Sequence, residues 1–198
     1  MATVKKKKKQ DTTTADIKLT NTEGKNLDDV AALQEIIKEQ NAEDAKIPTD
    51  ANLVAKCGET GEKRYTSGYI WNSDGRLEGI YWVDCNMKGS LTLEKLPALK
   101  TFICYHNQLS SLYISKNTAL TRLECDWNDL SNLDVSQNTA LTELNCGLNK
   151  LNNLDVSQNT ALTWLYCRGN KLSSLDLTNN KNLDNLRYDY DTVTVIGW

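Results

Sequence analysis

Several residue types and features are scarce in this sequence. Its 198 residues include one histidine, one phenylalanine and two prolines, and no apolar stretch is long enough for a membrane-spanning helix. The first 30 residues lack the apolar core of a secretory signal, which predicts synthesis in the cytoplasm and leaves display on a virion or a cell surface open. One histidine without a recognisable Ser/His/Asp context argues against catalysis, so we expect no enzyme, no cofactor and no metal site.

Positive charge is scarce outside one short run. Lys5 to Lys9 are five of the 23 basic residues, so 18 remain against 26 acidic ones. This excess of negative charge repels phosphate and argues against a specific nucleic-acid-binding protein. Two interpretations of the run itself stay open: a solvated tail, or an arm that docks on an acidic assembly partner.

A repeat of 21 residues fills the chain from residue 77 onward, where 23 of the 27 leucines lie. The units begin at Leu77, Leu99, Leu120, Leu141, Leu162 and Leu183. The shared pattern is L-x-x-L-x-C-x-x-N-x-L-x-x-L-D-V-S-x-N-T-A. Its most regular columns are Cys104, Cys125, Cys146 and Cys167; Asn107, Asn128, Asn149 and Asn170; and Asn117, Asn138, Asn159 and Asn180. Such periodicity predicts stacked units that bury a common core.

The pattern resembles the leucine-rich repeat family, whose consensus is L-x-x-L-x-L-x-x-N/C-x-L. Residues 120–130, LTRLECDWNDL, match that consensus position by position. The short LDVSQNTALT-type unit is similar to the variant found in surface and secreted proteins of Bacteroidetes. The resemblance covers residues 77–198. It implies an α/β repeat fold that is mostly β, a parallel β-solenoid of six coils, and a role in binding and not in catalysis.

Alternation along each strand predicts which side chains face the core. In the third unit Leu123 and Cys125 point inward, while Arg122, Glu124 and Asp126 point outward. The asparagine at the ninth position turns the chain, and we expect its amide to bond backbone groups there.

The second half of each unit and the two end units are predicted from the same pattern. Leu133-Asp134-Val135 alternates in polarity, which predicts a short strand on the opposite wall. In the first and last units Trp82 and Tyr188 replace the cysteine, as expected for coils that have one flank in water.

The four repeat cysteines are predicted to be buried, reduced and stacked one per coil. Their Cβ atoms on adjacent in-register strands would lie about 4.8 Å apart, whereas a disulfide needs about 3.8 Å. Free cysteine is a small apolar side chain that is often buried. A disulfide between Cys57 and Cys85 stays open. The unpaired thiols favour assembly in a reducing compartment.

Four segments follow from these patterns. Residues 1–25 are a predicted flexible basic arm, 26–45 an amphipathic helix, 46–76 an N-terminal cap with a β-hairpin, and 77–198 the solenoid.

The predicted helix begins after Asn26, whose side chain can cap it. Its apolar stripe comprises Leu27, Val30, Leu33 and Ile37. The stripe needs a partner, and three stay open: the cap, other copies of the chain through self-association of residues 26–45, or a larger assembly. We interpret residues 1 to about 45 as an attachment device that contributes little to the stability of the repeats.

Variation between repeats marks a candidate binding face. Positions on the opposite wall are nearly constant, whereas the third, fifth and seventh positions of the strand side vary sharply between units. Tyr, Trp and Arg are enriched at binding hot spots; drift on a solvated face is the alternative explanation. The candidate ligand-binding residues are Tyr81, Tyr105, His106, Arg122, Glu124, Asp126, Trp127, Glu143, Trp164, Tyr166, Arg168 and Arg187. We expect the hot spot at Trp164, Tyr166 and Arg168, with Trp127 alongside.

Two functions fit the sequence. The first is a non-catalytic binding or adhesion module that recognises a protein, or a glycan, on the concave face. The alternative is a structural subunit displayed on a bacteriophage virion as a decoration or fibre protein, anchored by its N-terminal arm.

Overall fold

The computed structural model describes residues 18–40, 45–53 and 66–198. The predicted arm at Lys5 to Lys9 and Cys57 therefore lie outside the described residues. One helix, α1 (Leu27–Gln40), precedes the strands. The strands are β1 (Gly68–Trp71), β2 (Leu77–Tyr81), β3 (Lys88–Thr92), β4 (Thr101–Ile103), β5 (Gln108–Tyr113), β6 (Arg122–Glu124), β7 (Glu143–Asn145), β8 (Trp164–Tyr166), β9 (Ser174–Asp176), β10 (Asn185–Arg187) and β11 (Thr194–Ile196).

Seven of these strands form one sheet in the order β1-β2-β4-β6-β7-β8-β10. From β2 onward the neighbours are parallel and each comes from the next repeat, with Leu123 opposite both Phe102 and Leu144. A constant repeat length keeps equivalent residues in one column, so each inward leucine packs on the next. The chain is a mostly-β parallel solenoid of about six coils, as the sequence predicts.

The core contains the leucine columns and the stacked cysteines. Cys104, Cys125 and Cys146 are fully buried, and Cys167 nearly so, which confirms their predicted burial. Burial raises the pKa of the Cys104, Cys125 and Cys146 thiols well above the ordinary value, because a thiolate would lose its hydration there. These thiols are therefore protonated, apolar parts of the core.

A ladder of buried asparagines joins each coil to the one before it. Asn128 donates from Nδ2 to the carbonyl oxygens of Cys104 (3.0 Å) and Cys125 (3.2 Å). Its Oδ1 accepts from the N–H of Leu109 at 2.9 Å. Asn107, Asn149 and Asn170 repeat this arrangement. The predicted role of the ninth position is confirmed.

The wall opposite the seven-stranded sheet, called the back wall here, is less regular than predicted. Two-stranded parallel sheets, β3 with β5 and β9 with β11, lie at its two ends. The prediction of a strand at Leu133-Asp134-Val135 is wrong, because side chains, and not a neighbouring strand, bond the backbone in this part of the unit. Asp134 accepts the Ser136 N–H at 2.9 Å, and Asn138 donates to the carbonyls of Ile114 and Asn117 at 3.0 and 2.9 Å.

Helix α1 packs against the first coil. Asn26 Oδ1 accepts from the N–H groups of Asp28 and Asp29, both at 3.1 Å, and so caps the helix. The buried Leu33 and Ile37 belong to the same core as Leu77. The stripe is therefore partnered inside the chain, and only Leu27 of its four residues is largely exposed.

A buried carboxylate fixes the helix to the hairpin of β1 and β2. Asp29 Oδ2 accepts from Arg76 Nε at 2.7 Å and from the N–H of Leu77 at 2.8 Å. Its other oxygen accepts from Arg76 Nη2 at 3.0 Å. The interpretation of residues 1 to about 45 as independent of the solenoid's stability loses its basis, because the helix shares both the core and this ion pair.

Replacing Asn149 with alanine should destabilise the solenoid by about 2 kcal/mol, because it leaves the Leu130 N–H buried without an acceptor and removes one of the two donors to the carbonyls of Cys125 and Cys146. Urea denaturation measures the change. Asn179→Ala is the matched control, since Asn179 makes one exposed bond to the Ser157 carbonyl, and it should change stability by less than about 0.5 kcal/mol. Equal effects of the two substitutions would contradict a structural role for the ladder.

Replacing Asp29 with alanine should cost about 3 kcal/mol, because it leaves the Arg76 guanidinium and the Leu77 N–H without their acceptor. Asp28→Ala removes a carboxylate from the same helical turn at an exposed position and should have little effect. Thermal unfolding of the full chain compares them. If Asp29→Ala leaves the melting temperature unchanged, helix α1 does not stabilise the repeats.

Candidate functional site

A cavity of about 880 Å³ lies on the outward side of the seven-stranded sheet, the predicted concave face. Residues from all six coils line it, so it extends across most of the sheet. Its lining comprises Val83, Asp84, Tyr105, His106, Arg122, Glu124, Asp126, Glu143, Asn145, Thr163, Trp164, Tyr166 and Asn185.

The structure brings eight of the twelve candidate residues together in this cavity. They are Tyr105, His106, Arg122, Glu124, Asp126, Glu143, Trp164 and Tyr166. Tyr81, Trp127, Arg168 and Arg187 do not line it. Sequence reasoning missed Val83, Asp84, Asn145, Thr163 and Asn185. Three of these occupy the same variable columns, so the column pattern could have identified Val83, Asn145 and Asn185.

Two aromatic groups border the cavity. On β8, the rings of Trp164 and Tyr166 lie 6.2 Å apart between centroids at an interplanar angle of 32°. After β4, the rings of Tyr105 and His106 meet edge to face at 5.6 Å. The Tyr166 ring lies over Gly147, where an added Cβ would collide with it. Gly147 therefore makes room for the aromatic side chain of the next coil.

Arg122 is paired inside the cavity with two carboxylates. Its Nε donates to Glu124 Oε1 at 2.8 Å and lies 3.3 Å from Glu143 Oε2. Asp84 and Asp126 add two further carboxylates. Acidic side chains therefore outnumber arginine and lysine four to one in the lining, and the cavity favours positive charge.

The environment of Asp126 shifts the pKa of its carboxyl group. Burial raises its pKa to about 6, with a smaller contribution from the nearby Glu124 charge. Hydrogen bonds from its own backbone N–H and from Asn145 act in the opposite direction. Among the described residues, the enclosed Asp126 Oδ1 has no hydrogen-bond donor. The folded chain thus holds a poorly compensated carboxylate at the base of the cavity.

Trp127 and Arg168 do not join Trp164 and Tyr166, contrary to the expected grouping. Trp127 lies at the edge of the face, with its ring centroid 4.9 Å from that of His106. Arg168 Nε lies 3.6 Å from Asp189 Oδ1 in the next coil. Both residues come after the last residue of their strands, β6 and β8, and lie outside the cavity lining.

In the first five units, the residue before the ninth position has a left-handed backbone. Asp84, His106, Trp127, Leu148 and Gly169, called the rim column here, all have φ between 51° and 74°. Only glycine adopts this region without a steric cost. The left-handed backbone takes these residues out of the strand's alternation. Asp84 and His106 nevertheless line the cavity, whereas Trp127 lies outside its lining.

The fold matches solved leucine-rich-repeat structures. The functional domain of InlJ from Listeria monocytogenes, which includes a cysteine ladder, is 43% identical, covers 57% of this chain and has a TM-score of 0.56. This chain spans 25% of that structure. The leucine-rich-repeat ectodomain of the receptor kinase SOBIR1 from Arabidopsis thaliana has a TM-score of 0.63 at 19% identity, covering 86% of this chain and 97% of its own.

A plant ice-binding protein has a TM-score of 0.60 at 17% identity, over 87% of this chain and 65% of its own. The InlJ and SOBIR1 structures show that the chain has the leucine-rich-repeat fold. No protein-family model and no curated protein sequence match it, and the Bacteroidetes-type repeat class stays a prediction. Within the part of the chain that the structure describes, no helix has both the length and the apolar character required to cross a membrane.

Asp126→Asn should stabilise the protein at pH 8 and have little effect near pH 3.5. Because the folded-state pKa, about 6, exceeds the ordinary 3.8, folding favours the protonated acid, and this contribution is lost as pH rises through 6. Asparagine mimics the protonated acid at every pH, so the gain at pH 8 should be about 2 kcal/mol.

Urea denaturation at both pH values measures this gain in the free energy of unfolding. The control is Asp184→Asn, at an exposed position, which should give no comparable pH dependence. An effect of Asp126→Asn that is the same at pH 3.5 and pH 8 would show that the carboxylate is not destabilised by burial.

Proposed function

We propose that the chain is a non-catalytic binding module that recognises a protein partner on the concave face of its solenoid. The observation that carries the proposal is the cavity bordered by Trp164, Tyr166 and Tyr105 on a sheet held rigid by buried ladders. Rigid aromatic side chains bind with little loss of conformational entropy, and they are enriched at interface hot spots. The leucine-rich-repeat fold is itself used widely for binding.

The rim column supports the same conclusion. Trp127 is 51% exposed and Leu148 36% exposed, although each occupies a left-handed backbone position. Such a position costs about 1 kcal/mol or more for a residue other than glycine. Large apolar side chains at strained, exposed positions are expected where they contact a partner.

A glycan is the other ligand class that the face can accommodate, because Trp164 and Tyr166 could stack on sugar rings. Four carboxylates and Arg122 inside one cavity favour a charged protein surface over a neutral sugar. A protein is therefore the proposed partner, and a glycan is an outcome that the experiment below distinguishes.

A photo-crosslinking pair tests the proposal. p-Benzoylphenylalanine replaces Asn185 in the cavity lining, or Gln158, an exposed residue after the back-wall segment of the fourth unit. In extract of the source organism, we expect the Asn185 position to crosslink a protein that the Gln158 position does not. Glycosidase treatment of the product shows whether the attachment is to a glycan. Capture that is equal at both positions, or absent at Asn185, contradicts the proposal.

The partner identified in this way then allows a quantitative check. Trp164→Ala should weaken its binding by about 2 kcal/mol if Trp164 is a hot spot. Tyr113→Ala is the matched control, since Tyr113 is an exposed aromatic residue of β5 on the back wall. Unchanged affinity in both Trp164→Ala and Tyr166→Ala would refute the predicted hot spot.

A structural subunit of a bacteriophage virion is the second candidate. The buried thiols of Cys85 and of the four repeat cysteines are unpaired, which favours synthesis and assembly in a reducing cytoplasm before display. In this case the concave crosslinks would involve a host surface molecule, and the chain itself would be a component of purified particles. Absence of the chain from particles rules this candidate out and leaves the binding module standing.

A further inference from the structure

We propose that the cavity binds a lysine or arginine side chain presented by the partner protein, between the aromatic rings and against Asp126. This inference rests on the proposed function and specifies what the concave face recognises.

Among the residues that the structure describes, Asp126 has no cation beside it. Asp84, by contrast, lies 3.6 Å from His106 Nδ1. Arg122 is held by Glu124 and by Glu143 through contacts of 2.8 and 3.3 Å. Besides burial, the groups of the described residues that shift the pKa of Asp126 are its own N–H, Glu124 and Asn145, and none of them carries a positive charge. A cationic ligand would supply the missing charge.

The register of the coils places aromatic rings on both sides of Asp126. In the seventh column, Tyr105 precedes Asp126 and Gly147 follows it, in coils joined by the bonds from His106 N–H to Asp126 O (3.2 Å) and from Trp127 N–H to Gly147 O (3.1 Å). The Tyr166 ring occupies the space over Gly147. Adjacent strands are about 4.8 Å apart, so both rings flank the carboxylate.

Two aromatic faces beside a carboxylate suit an organic cation. Ammonium and guanidinium groups are attracted to ring faces, and their alkyl stems pack on the same surface. A metal ion is the less suitable occupant, because residues 18–40, 45–53 and 66–198 contain no group of three His, Cys, Asp or Glu side chains arranged to hold one. The cavity therefore selects for charge together with an apolar stem.

The presence of a carboxylate at position 126, where it lowers the stability of the folded chain, supports the proposal that it binds a cation. A carboxylate enclosed without a donor for Oδ1 destabilises the folded chain, and an asparagine at position 126 would avoid the cost. Perturbed and destabilising groups cluster at binding and catalytic sites.

The probes are four capped tripeptides, acetyl-Gly-X-Gly-amide, in which X is arginine, lysine, citrulline or acetyl-lysine. Citrulline and acetyl-lysine keep the stem and remove the charge. NMR titration of the full chain follows the Trp164 indole N–H and the Asn145 side-chain amide. We expect both cationic peptides to shift these resonances. We expect each neutral peptide to bind at least tenfold more weakly than its cationic counterpart.

Asp126→Asn should weaken binding of the arginine peptide at least fivefold, and Asp184→Asn should leave it unchanged. The expected gain in stability of Asp126→Asn at pH 8 separates a loss of binding from unfolding. Equal binding of the charged and neutral peptides overturns the inference. So does unaltered binding to Asp126→Asn, or the absence of any shift at Trp164 and Asn145 with both cationic peptides.

The two proposals fail separately. If the crosslinked partner binds Asp126→Asn as tightly as the wild-type chain, the proposal of a protein-binding module is supported and the proposal of cation recognition is refuted. If no position-specific crosslink forms at Asn185 while the arginine peptide binds at Asp126, the cavity recognises cations but the proposed protein partner is not supported.

Discussion

The hydrogen bonds of the buried asparagines are the interaction on which the rest of the structure depends. A coil of 21 residues must turn twice, and every turn leaves backbone groups that no strand can satisfy. Asn128 satisfies three such groups at once: the carbonyls of Cys104 and Cys125 and the N–H of Leu109. Because these groups belong to neighbouring coils, the bond that completes a turn also fixes the spacing between coils.

This arrangement separates what must stay constant from what can vary. Inward positions, such as Leu144 and Cys146, pack against the same residue type in the next coil and tolerate little change in volume. Outward positions of the same strand, such as Glu143 and Asn145, contribute little to the core. The chain can therefore place aromatic and charged side chains on one face without altering the fold, and the cavity forms where several such choices meet.

The solenoid could be predicted from the sequence because its residues repeat at a fixed spacing. Interactions that occur only once in the chain could not be predicted in this way. The inward direction of Leu123 and Cys125 follows from alternation and a spacing of 21. The burial of Asp29 does not, because its partner Arg76 lies 47 residues away in a segment without repeats. Trp127 was grouped with Trp164 but lies outside the cavity lining, and alternation does not predict where a side chain on a left-handed backbone points. The predicted strand at Leu133-Asp134-Val135 failed because alternation does not show whether side chains or a backbone ladder join the coils. In the candidate site, residue type identified Trp164 and Glu124, while the proximity of Tyr166 to Asp126 required knowledge of which coils are adjacent.

A charge at position 126 is unfavourable for the stability of the folded chain but suits the binding of a cation in the cavity. Within the core, the cysteine column avoids charge, since burial holds its thiols in the neutral form. One residue beyond Cys125, the chain carries a carboxylate that burial leaves poorly hydrated and that has no cation beside it in the described part of the chain. Because the sheet is stabilised independently by leucine packing and by the asparagine ladders, it can hold this unfavourable charge in a fixed place. A carboxylate that is already desolvated loses less hydration when a ligand covers it, so the cost is incurred in folding and not in binding. The leucine and asparagine repeats therefore supply the stability that allows the Asp126 carboxylate to stay in a fixed position where a ligand can bind it.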